Sequence, residues 1–305
     1  MKIKAAIYIL LVNILCFLSL CSCSSSGKSY PLTIGDVDIS SEVYNYYVAE
    51  VKNDLVKHVD VEDQEQRAAE ECREFVAYNE LIYKYGITLS PEEKVAASEK
   101  IRGMWQYYSD FYRFHNISKQ TLADMVEYEM LVDNLTCSAV LTGMSRDDAL
   151  KRANDYFNKN YVCVSLIYSP FTDKKGAVLK ESEQKKLTDK FTDMRNIVRR
   201  GSTMAFAASK YPDIAEYDET KTNIISAYDS GYPKGMFENV MKMENGAAQV
   251  FKFNDGIYLI RKLDITDPEQ NYFERYKKEC MLALFSTNTF DAINTLAQSY
   301  KIVYN

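Results

Sequence analysis

Cysteine and histidine, which often act as nucleophiles, proton carriers or metal ligands near neutral pH, are few in this sequence. Two histidines occur, His58 and His115, and they lie far apart in the chain. Beyond residue 30 no two cysteines have CxxC or metal-ligand spacing. These cysteines are Cys72, Cys137, Cys163 and Cys280. HExxH, GxSxG, Walker and GxGxxG patterns are absent from the sequence. We therefore expect no catalytic residue, no metal site and no cofactor.

Structural roles explain these residues better than chemical ones. The cysteines are expected to be buried apolar thiols, and lone histidines in helical segments are expected at surfaces or helix ends. Cys163 has no histidine in its own region, so it is a poor candidate for a nucleophile. An oxidising compartment permits disulfides, and whether the cysteines pair stays open.

The N-terminus has the order of an export signal. Two lysines precede an apolar stretch, Ala5 to Leu20, and small residues follow in LCSCSSSGK. The apolar run is shorter than the roughly 20 residues of a spanning helix, which favours a cleaved signal over an anchor. The segment resembles the lipobox of bacterial lipoproteins, which implies that Cys23 becomes the acylated N-terminus. Cleavage before Cys21 would place the bulky Leu20 at the cut.

These patterns predict a signal peptide over residues 1–22 and a flexible Ser/Gly tether over 23–31. The lipid would hold the protein at a bacterial membrane, facing the periplasm, with the choice of inner or outer membrane left open. The whole chain carries a formal net charge of −6 and has no basic run. This acidic balance argues against nucleic acid as a partner.

Residues 32–160 have the pattern of a helical domain. Ser90-Pro91-Glu92-Glu93 combines an N-cap serine, a proline at the first helical position and a glutamate at the third. This combination predicts a helix from Pro91 to about Phe114. Further helices are predicted after Ser40 or Ser41, from about Asp63 to near Gly86, after Ser118, and after Ser145.

From Tyr161 the pattern changes to strands mixed with helices. YVCVSLIYSP is a β-rich run, and AAQVFKFNDGIYLIRKL predicts a hairpin around an Asp-Gly turn. Helices are predicted between them over 183–200, 204–211 and 236–243. Residues 161–265 are thus expected to form a β-α-α-α-β-β unit. A long helix after Asp267-Pro268 and the strand YKIVYN then complete an α+β protein.

These segments together resemble the SurA and PrsA type of exported chaperones, which carry a parvulin-like peptidyl-prolyl isomerase domain. VSLIYSP stands where the family has a Ser-His-Ile-Leu-like strand, and MAFAASKY resembles its Phe-Ala-x-x-Ala-x-x-Tyr helix. DGIYLIRK resembles its last strand, and IGDVDISSEVYNYY resembles the start of its chaperone domain. The resemblance implies a helical chaperone domain over 32–160, an inserted parvulin-like domain over 161–265, and a segment over 266–305 that returns to the helical domain.

In active members of that family, two histidines, a polar residue and an apolar pocket act on an X-Pro bond. Rotation about this bond has a barrier of ~18–20 kcal/mol, which a dry pocket and a polar network lower. The resemblance puts the histidine positions on Leu166 and Tyr258, the pocket positions on Tyr232 and Met236, and the polar position on Asp213 or Ile214. Both histidines are replaced and the family's Gly-Gly-Asp-Leu-Gly-like loop has no counterpart. The resemblance therefore implies the fold without the activity, and Leu166, Tyr232, Met236 and Tyr258 become candidates for peptide or proline binding.

MWQYYSDFYRFH, residues 104–115, is the densest aromatic stretch. Trp105 and Tyr112 are expected to stay exposed and to contact unfolded client segments, because aromatic rings give large contact area at low entropic cost. Four other positions of this stretch share one helical stripe, which is expected to pack in the core. They are Met104, Tyr108, Phe111 and His115.

The leading hypothesis from the sequence is an ATP-independent, membrane-tethered periplasmic chaperone. It would bind unfolded or partly folded exported polypeptides, and its parvulin-like domain would no longer isomerise proline bonds. One alternative is an active isomerase in which Tyr258 and Asp213 supply the polar network. Another is a structural docking subunit of an envelope complex. Clients and oligomeric state are not determined by the sequence.

Overall fold

The computed structural model describes residues 30–53, 61–214 and 222–305. Over these ranges the fold is α+β, mainly helical with two small antiparallel sheets, which confirms the predicted fold class. The chain forms two compact units. The first unit comprises the described residues up to Asn134 together with Phe290–Asn305, and the second unit, Leu135–Thr289, is inserted into it. Cys23, the signal peptide and His58 lie outside the described residues.

The first unit combines helices with a small sheet. Its elements are β1 (Leu32–Ile34), β2 (Val37–Ile39), α1 (Ser41–Asn53), α2 (Val61–Lys84), α3 (Pro91–Phe114), α4 (Lys119–Ser138) and β7 (Ile302–Tyr304), with the end of α4 belonging to the second unit. The strand order is β2-β1-β7, and both pairings are antiparallel. The last strand thus returns to the helical part of the chain, as predicted. The β1–β2 hairpin is an addition to the prediction.

The capping box at the start of α3 is confirmed. The backbone N–H of Glu93 donates to the Ser90 hydroxyl at 3.2 Å, and the backbone N–H of Ser90 donates to the Glu93 carboxylate at 2.8 Å. Each group satisfies a donor that a helix end leaves without a partner. Such a cap contributes about 1 kcal/mol, and α3 spans the predicted range, Pro91–Phe114.

Glu42 on α1 ties that helix to the start of α4. Its carboxylate accepts the backbone N–H of Ser118 at 3.0 Å and the hydroxyl of Thr121. Burial alone would raise the pKa of Glu42, but the hydrogen bonds from Ser118 and Thr121 outweigh burial and lower the pKa. An anion at a helix N-terminus is also favoured by the helix dipole. The contact fixes α1 against α4 in the apolar core of the first unit.

The second unit is built around a four-stranded antiparallel sheet with the order β4-β3-β6-β5. Its elements after α4 are α5 (Arg146–Asn160), β3 (Tyr161–Pro170), α6 (Glu181–Arg199), α7 (Met204–Ser209), β4 (Asn223–Ser226), α8 (Met236–Met241), β5 (Ala248–Lys252), β6 (Gly256–Leu263) and α9 (Tyr272–Ala297), with the end of α9 belonging to the first unit. The first strand, the hairpin and the three helices between them are where the sequence predicts them. Strand β4, between α7 and α8, is an addition to the predicted order.

Each face of this sheet packs against different helices. Ile167, Ile257 and Leu259 contribute to a buried cluster with residues of α6 and α7. Val164 and Ile260 point to the opposite face and join a cluster with residues of α8. This division follows from the two-residue period of strands. A third cluster, in which α5 and α9 take part, surrounds the start of β3.

Gly256 begins β6 at a close approach to β3. A Cβ atom there would lie 2.4 Å from the carbonyl oxygen of Ser169 and 2.6 Å from the Tyr168 ring. We expect Gly256→Ala to destabilise the second unit by about 1–3 kcal/mol, because the backbones of β3 and β6 must separate. The measurement is the free energy of unfolding from urea titration followed by circular dichroism.

Gly103→Ala is the matched control. Gly103 lies inside α3, and apart from the adjacent residues and nearby backbone of that helix no heavy atom lies within 4 Å of its added Cβ. Because alanine has a higher helix propensity than glycine, the free energy of unfolding of this variant should increase by up to about 1 kcal/mol. Equal effects of the two substitutions would contradict the proposed constraint at Gly256.

Candidate functional site

The four residues assigned to a proline-binding pocket come together in the second unit. Leu166 lies on β3, Tyr258 on β6, Met236 begins α8, and Tyr232 precedes that helix. Leu166 pairs with Ile260, two residues beyond Tyr258, so Leu166 and Tyr258 point to the same face of the sheet. All four belong to one apolar cluster. We call Leu166, Tyr232, Met236 and Tyr258 the site cluster.

The site cluster is half closed. Met236 is fully buried and Tyr258 is 6% exposed, whereas Leu166 and Tyr232 are half-buried. Met236 and Tyr258 therefore form the floor of the site by filling it with their own side chains. Leu166 and Tyr232 are the members of the site cluster that retain surface for a ligand.

The Tyr258 hydroxyl donates to the Asp255 carboxylate at 2.5 Å, within the turn that joins β5 to β6. Burial, followed by this hydrogen bond, raises the pKa of Tyr258. The hydroxyl is therefore neutral over the physiological pH range, and its proton is held by a neighbour. A phenol held in this way does not titrate near neutral pH as an imidazole would.

Aromatic rings surround the Tyr258 side chain. The ring centroid of Tyr258 lies 4.6 Å from that of Tyr168 and 5.6 Å from that of Phe253. Phe251 continues the row, with its centroid 6.3 Å from that of Phe253. Because Tyr168 is exposed and both phenylalanines are half-buried, the row extends the site cluster toward solvent. This arrangement suits van der Waals contact with apolar side chains.

Lys262 fixes α8 over the sheet. Its Nζ donates to the carbonyl oxygen of Met241 at 3.1 Å and to that of Met243 at 2.8 Å. These carbonyls lie at the C-terminal end of α8, where a cation also interacts favourably with the helix dipole. The contact attaches α8 to β6 and so positions Met236 over the sheet.

The predicted polar position does not join the site cluster. Ile214 packs against the cluster on the opposite face of the sheet, beside α6 and α7, and its neighbour Asp213 is exposed. The alternative in which Asp213 and Tyr258 form one polar network is therefore wrong in its pairing. The partner of the Tyr258 hydroxyl is Asp255, whose place in the two-residue hairpin turn is the sequence signal that identifies it.

The prediction that Tyr112 stays exposed is wrong. Tyr112 is 5% exposed and belongs to the core of the first unit. Trp105 is half-buried and stacks on Tyr112, with ring centroids 6.2 Å apart and planes 6° apart. The guanidinium of Arg113 lies over the Trp105 ring, 5.5 Å from its centroid.

Other rings of α3 are exposed instead. Tyr107 is 76% exposed, Tyr108 is 59% exposed and Phe114 is 82% exposed. The prediction of Tyr108 in the core stripe is therefore wrong. The buried residues of α3 are Ala97, Ile101 and Tyr112. Tyr108 has the helical spacing of this face but is exposed, so the helical period alone does not reveal its exposure. We call Tyr107, Tyr108 and Phe114 the aromatic patch.

The interpretation of the cysteines as buried thiols is confirmed for Cys72, Cys163 and Cys280. Burial raises the pKa of Cys72 to about 12 and that of Cys280 to about 11, so both thiols stay protonated at neutral pH. Over the residues that the structure describes, no three or more His, Cys, Asp or Glu side chains are grouped as metal ligands would be. None of the helices in the described ranges combines the length and apolarity needed to cross a bilayer.

Solved structures that are similar to this chain include foldases and SurA-like chaperones. Foldase protein PrsA of Streptococcus pneumoniae is 14% identical, with 76% of this chain and 84% of that chain covered and a TM-score of 0.39. PrsA of Lactococcus lactis is 12% identical, with 91% and 95% covered and a TM-score of 0.40. A SurA-like chaperone of Campylobacter jejuni is 11% identical, with 91% and 99% covered and a TM-score of 0.29. No family model and no curated protein sequence matches the chain.

The hydrogen bond between Tyr258 and Asp255 predicts a pH dependence of stability. The raised pKa means that the folded state keeps the Tyr258 proton at pH values where the unfolded state, with a tyrosine pKa of about 10, loses it. This contribution is fully present below pH ~10 and is lost above it, by up to ~1.4 kcal/mol per pH unit. We expect Tyr258→Phe to unfold with a shallower loss of stability between pH 9 and 11 than the unchanged protein.

The measurement is the free energy of unfolding from urea titrations at pH 8, 9, 10 and 11. Tyr83→Phe, at an exposed tyrosine of α2, is the control that removes a phenol without touching the site cluster. If Tyr258→Phe and Tyr83→Phe have the same pH profile, Tyr258 is not held as described.

Proposed function

We propose that this protein is a chaperone that binds apolar segments of unfolded exported polypeptides. The observation that carries the proposal is the aromatic patch: three large rings within eight residues of one helix, all exposed. Each ring offers contact area with little side-chain entropy to lose, since an aromatic side chain has two rotatable bonds. Tyr107 and Phe114, seven positions apart, share one face of α3, and exposed rings grouped on a folded protein mark an interaction site.

Neighbouring rings extend the aromatic patch without adding charge. The ring centroid of His115 lies 4.6 Å from that of Phe111 and 5.1 Å from that of Phe114. Burial, and then the positive charge of Lys52, lowers the pKa of His115, so this imidazole is neutral at pH 7. A neutral ring surface suits apolar segments of any sequence.

Charged groups near the aromatic patch help to keep the protein soluble. Asp110 and Arg113 form an ion pair at 3.5 Å, and their side chains are 99% and 65% exposed. An exposed pair of this kind adds little to stability. Its effect here is to interrupt apolar surface that would otherwise favour self-association, together with the net negative charge of the chain.

The chaperone acts at a membrane surface in this proposal. Acylation of Cys23 tethers it to the bacterial cell envelope, facing the periplasm, through the Ser/Gly segment that precedes β1. One acyl chain alone holds a protein only marginally, whereas two or more hold it stably. The parvulin-like unit serves as a second contact surface through Leu166 and Tyr232, without isomerase activity.

Removing the aromatic patch should remove most of the chaperone activity. We expect the triple substitution of Tyr107, Tyr108 and Phe114 by serine to raise the concentration needed for half-maximal suppression of aggregation by about tenfold. The substrate is an unfolded outer-membrane protein diluted from urea, and aggregation is followed by light scattering. Because the three side chains are exposed, stability should change by less than about 0.5 kcal/mol per site.

A matched triple variant controls for the loss of apolar surface. Tyr83, Val95 and Tyr304 are also exposed, and their replacement by serine should leave suppression within about twofold. Equal losses in both variants, or no loss in either, would contradict a role for the aromatic patch.

Peptidyl-prolyl isomerisation is a second candidate function, favoured by the assembly of the site cluster on one sheet face. The Tyr258 hydroxyl is held by Asp255, so we expect no acceleration of a proline tetrapeptide beyond its uncatalysed relaxation over tens to hundreds of seconds. Protease-coupled kinetics measures this. Acceleration that disappears in Tyr232→Ala, a half-buried position whose loss spares the core, would reverse the assignment.

A further inference from the structure

A groove lies on the side of the second unit where α6 meets the edge strand β5. Its volume is about 510 Å³. One wall is the last turn of α6 together with Gly201, and the other is strand β5 together with the turn before it. The lining residues are Arg195, Val198, Arg199, Gly201, Gly246, Ala247, Ala248, Gln249 and Val250. We call this the edge groove.

Strand β5 presents backbone hydrogen-bonding groups to the edge groove. It is the last strand of the order β4-β3-β6-β5, so its outer edge pairs with no strand of the described residues. The N–H of Phe253 donates to the carbonyl of Gly256, which makes that pair a hydrogen-bonded pair of the hairpin. Because such pairs alternate along an antiparallel ladder, Gln249 bonds to β6, while Ala248 and Val250 direct their N–H and C=O groups outward.

The opposite wall of the edge groove is basic. Arg195 and Arg199 lie one helical turn apart on α6 and so share a face. No salt bridge within the described ranges joins either guanidinium to a carboxylate. The Nε of Arg195 is buried without a hydrogen-bond partner, although its Nη2 donates to Asn196 at 3.1 Å. A buried N–H donor of this kind costs free energy unless an acceptor reaches it.

The chemistry of these two walls indicates which kind of ligand the edge groove would bind. A strand edge recognises the backbone of an extended peptide, and two arginines recognise a carboxylate, since a guanidinium matches carboxylate geometry. We propose that the edge groove binds an extended acidic polypeptide segment, which adds to β5 as a fifth strand and directs a carboxylate to Arg195 and Arg199. Val198 and Val250 supply apolar surface between the charged wall and the strand.

The edge groove is separate from the aromatic patch and from the site cluster. The side chain of Val250 packs on the sheet face that carries α6 and α7, whereas the site cluster occupies the opposite face. The proposal therefore does not depend on the chaperone function. The edge groove would prefer acidic, strand-forming segments, whereas the aromatic patch would not select segments by their sequence.

Fluorescence anisotropy with the full chain tests the charge component. The probe is a labelled decapeptide of alternating threonine and valine with one central glutamate, and its twin carries glutamine at that position. We expect the glutamate peptide to bind about tenfold more tightly at low salt, because it gains a charge-assisted contact. Arg195→Gln should abolish this difference, whereas Lys94→Gln, which removes a positive charge from an exposed position of α3, should preserve it. Equal binding of the two peptides would overturn the proposal.

Strand addition is tested on both partners. Val250→Pro removes the outward N–H, and Val250→Ala controls for the loss of side chain. We expect the proline variant to bind the glutamate peptide at least about tenfold more weakly than the alanine variant. An edge strand tolerates proline, but a proline at position 250 has no N–H to donate to the backbone of the peptide. Circular dichroism establishes that both variants are folded. The same test on the unchanged protein uses two peptides, one N-methylated at the odd-numbered residues and the other at the even-numbered residues. Undiminished binding of both peptides would refute strand addition.

The aromatic-patch triple variant separates the two proposals. It should bind the glutamate peptide with unchanged affinity while it fails to suppress aggregation. Loss of peptide binding in that variant would place the peptide on α3 and would overturn the assignment of the edge groove.

Discussion

The register between β3 and β6 determines which residues form each surface of the second unit. Tyr168 pairs with Tyr258 and Leu166 with Ile260, so the site cluster is on the α8 face. A slip of one residue would exchange the two faces, bringing Ile257 and Leu259 under α8. The close approach of Gly256 to β3, which leaves no room for a side chain, limits such a slip.

Local signals in the sequence predict much of this fold. The capping box of α3 and the Asp-Gly turn of the hairpin are each defined by a few adjacent residues, and both occur as predicted. Strand β4 has four residues and pairs Ser226 with Tyr161, 65 positions away, so its stability comes from a partner that no local pattern reveals. Mapping by resemblance brought together Leu166, Tyr232, Met236 and Tyr258, whereas the burial of Tyr112 depends on how α3 packs against its neighbours.

The proposed binding surfaces differ in their physical basis. The aromatic patch offers rings to solvent and selects by apolar area alone, which suits many unfolded segments. The edge groove offers backbone groups and two arginines, which select for extended conformation and negative charge. The site cluster offers less to a ligand than either of these surfaces. Its hydroxyl, that of Tyr258, is hydrogen-bonded to Asp255, and its floor is filled by the side chains of Met236 and Tyr258. In these proposals all three surfaces bind a polypeptide and none of them catalyses a reaction.

The most direct test of the chaperone assignment is photo-crosslinking from defined positions of α3 to an unfolded outer-membrane protein. Benzoylphenylalanine in place of Phe114 or Tyr107 keeps an aromatic ring at the surface, and the same group in place of Tyr83 reports on exposed surface elsewhere. Crosslinks from positions 107 and 114 that far exceed those from position 83 are the predicted result. Equal crosslinking from all three positions, or none from position 114, would contradict the assignment.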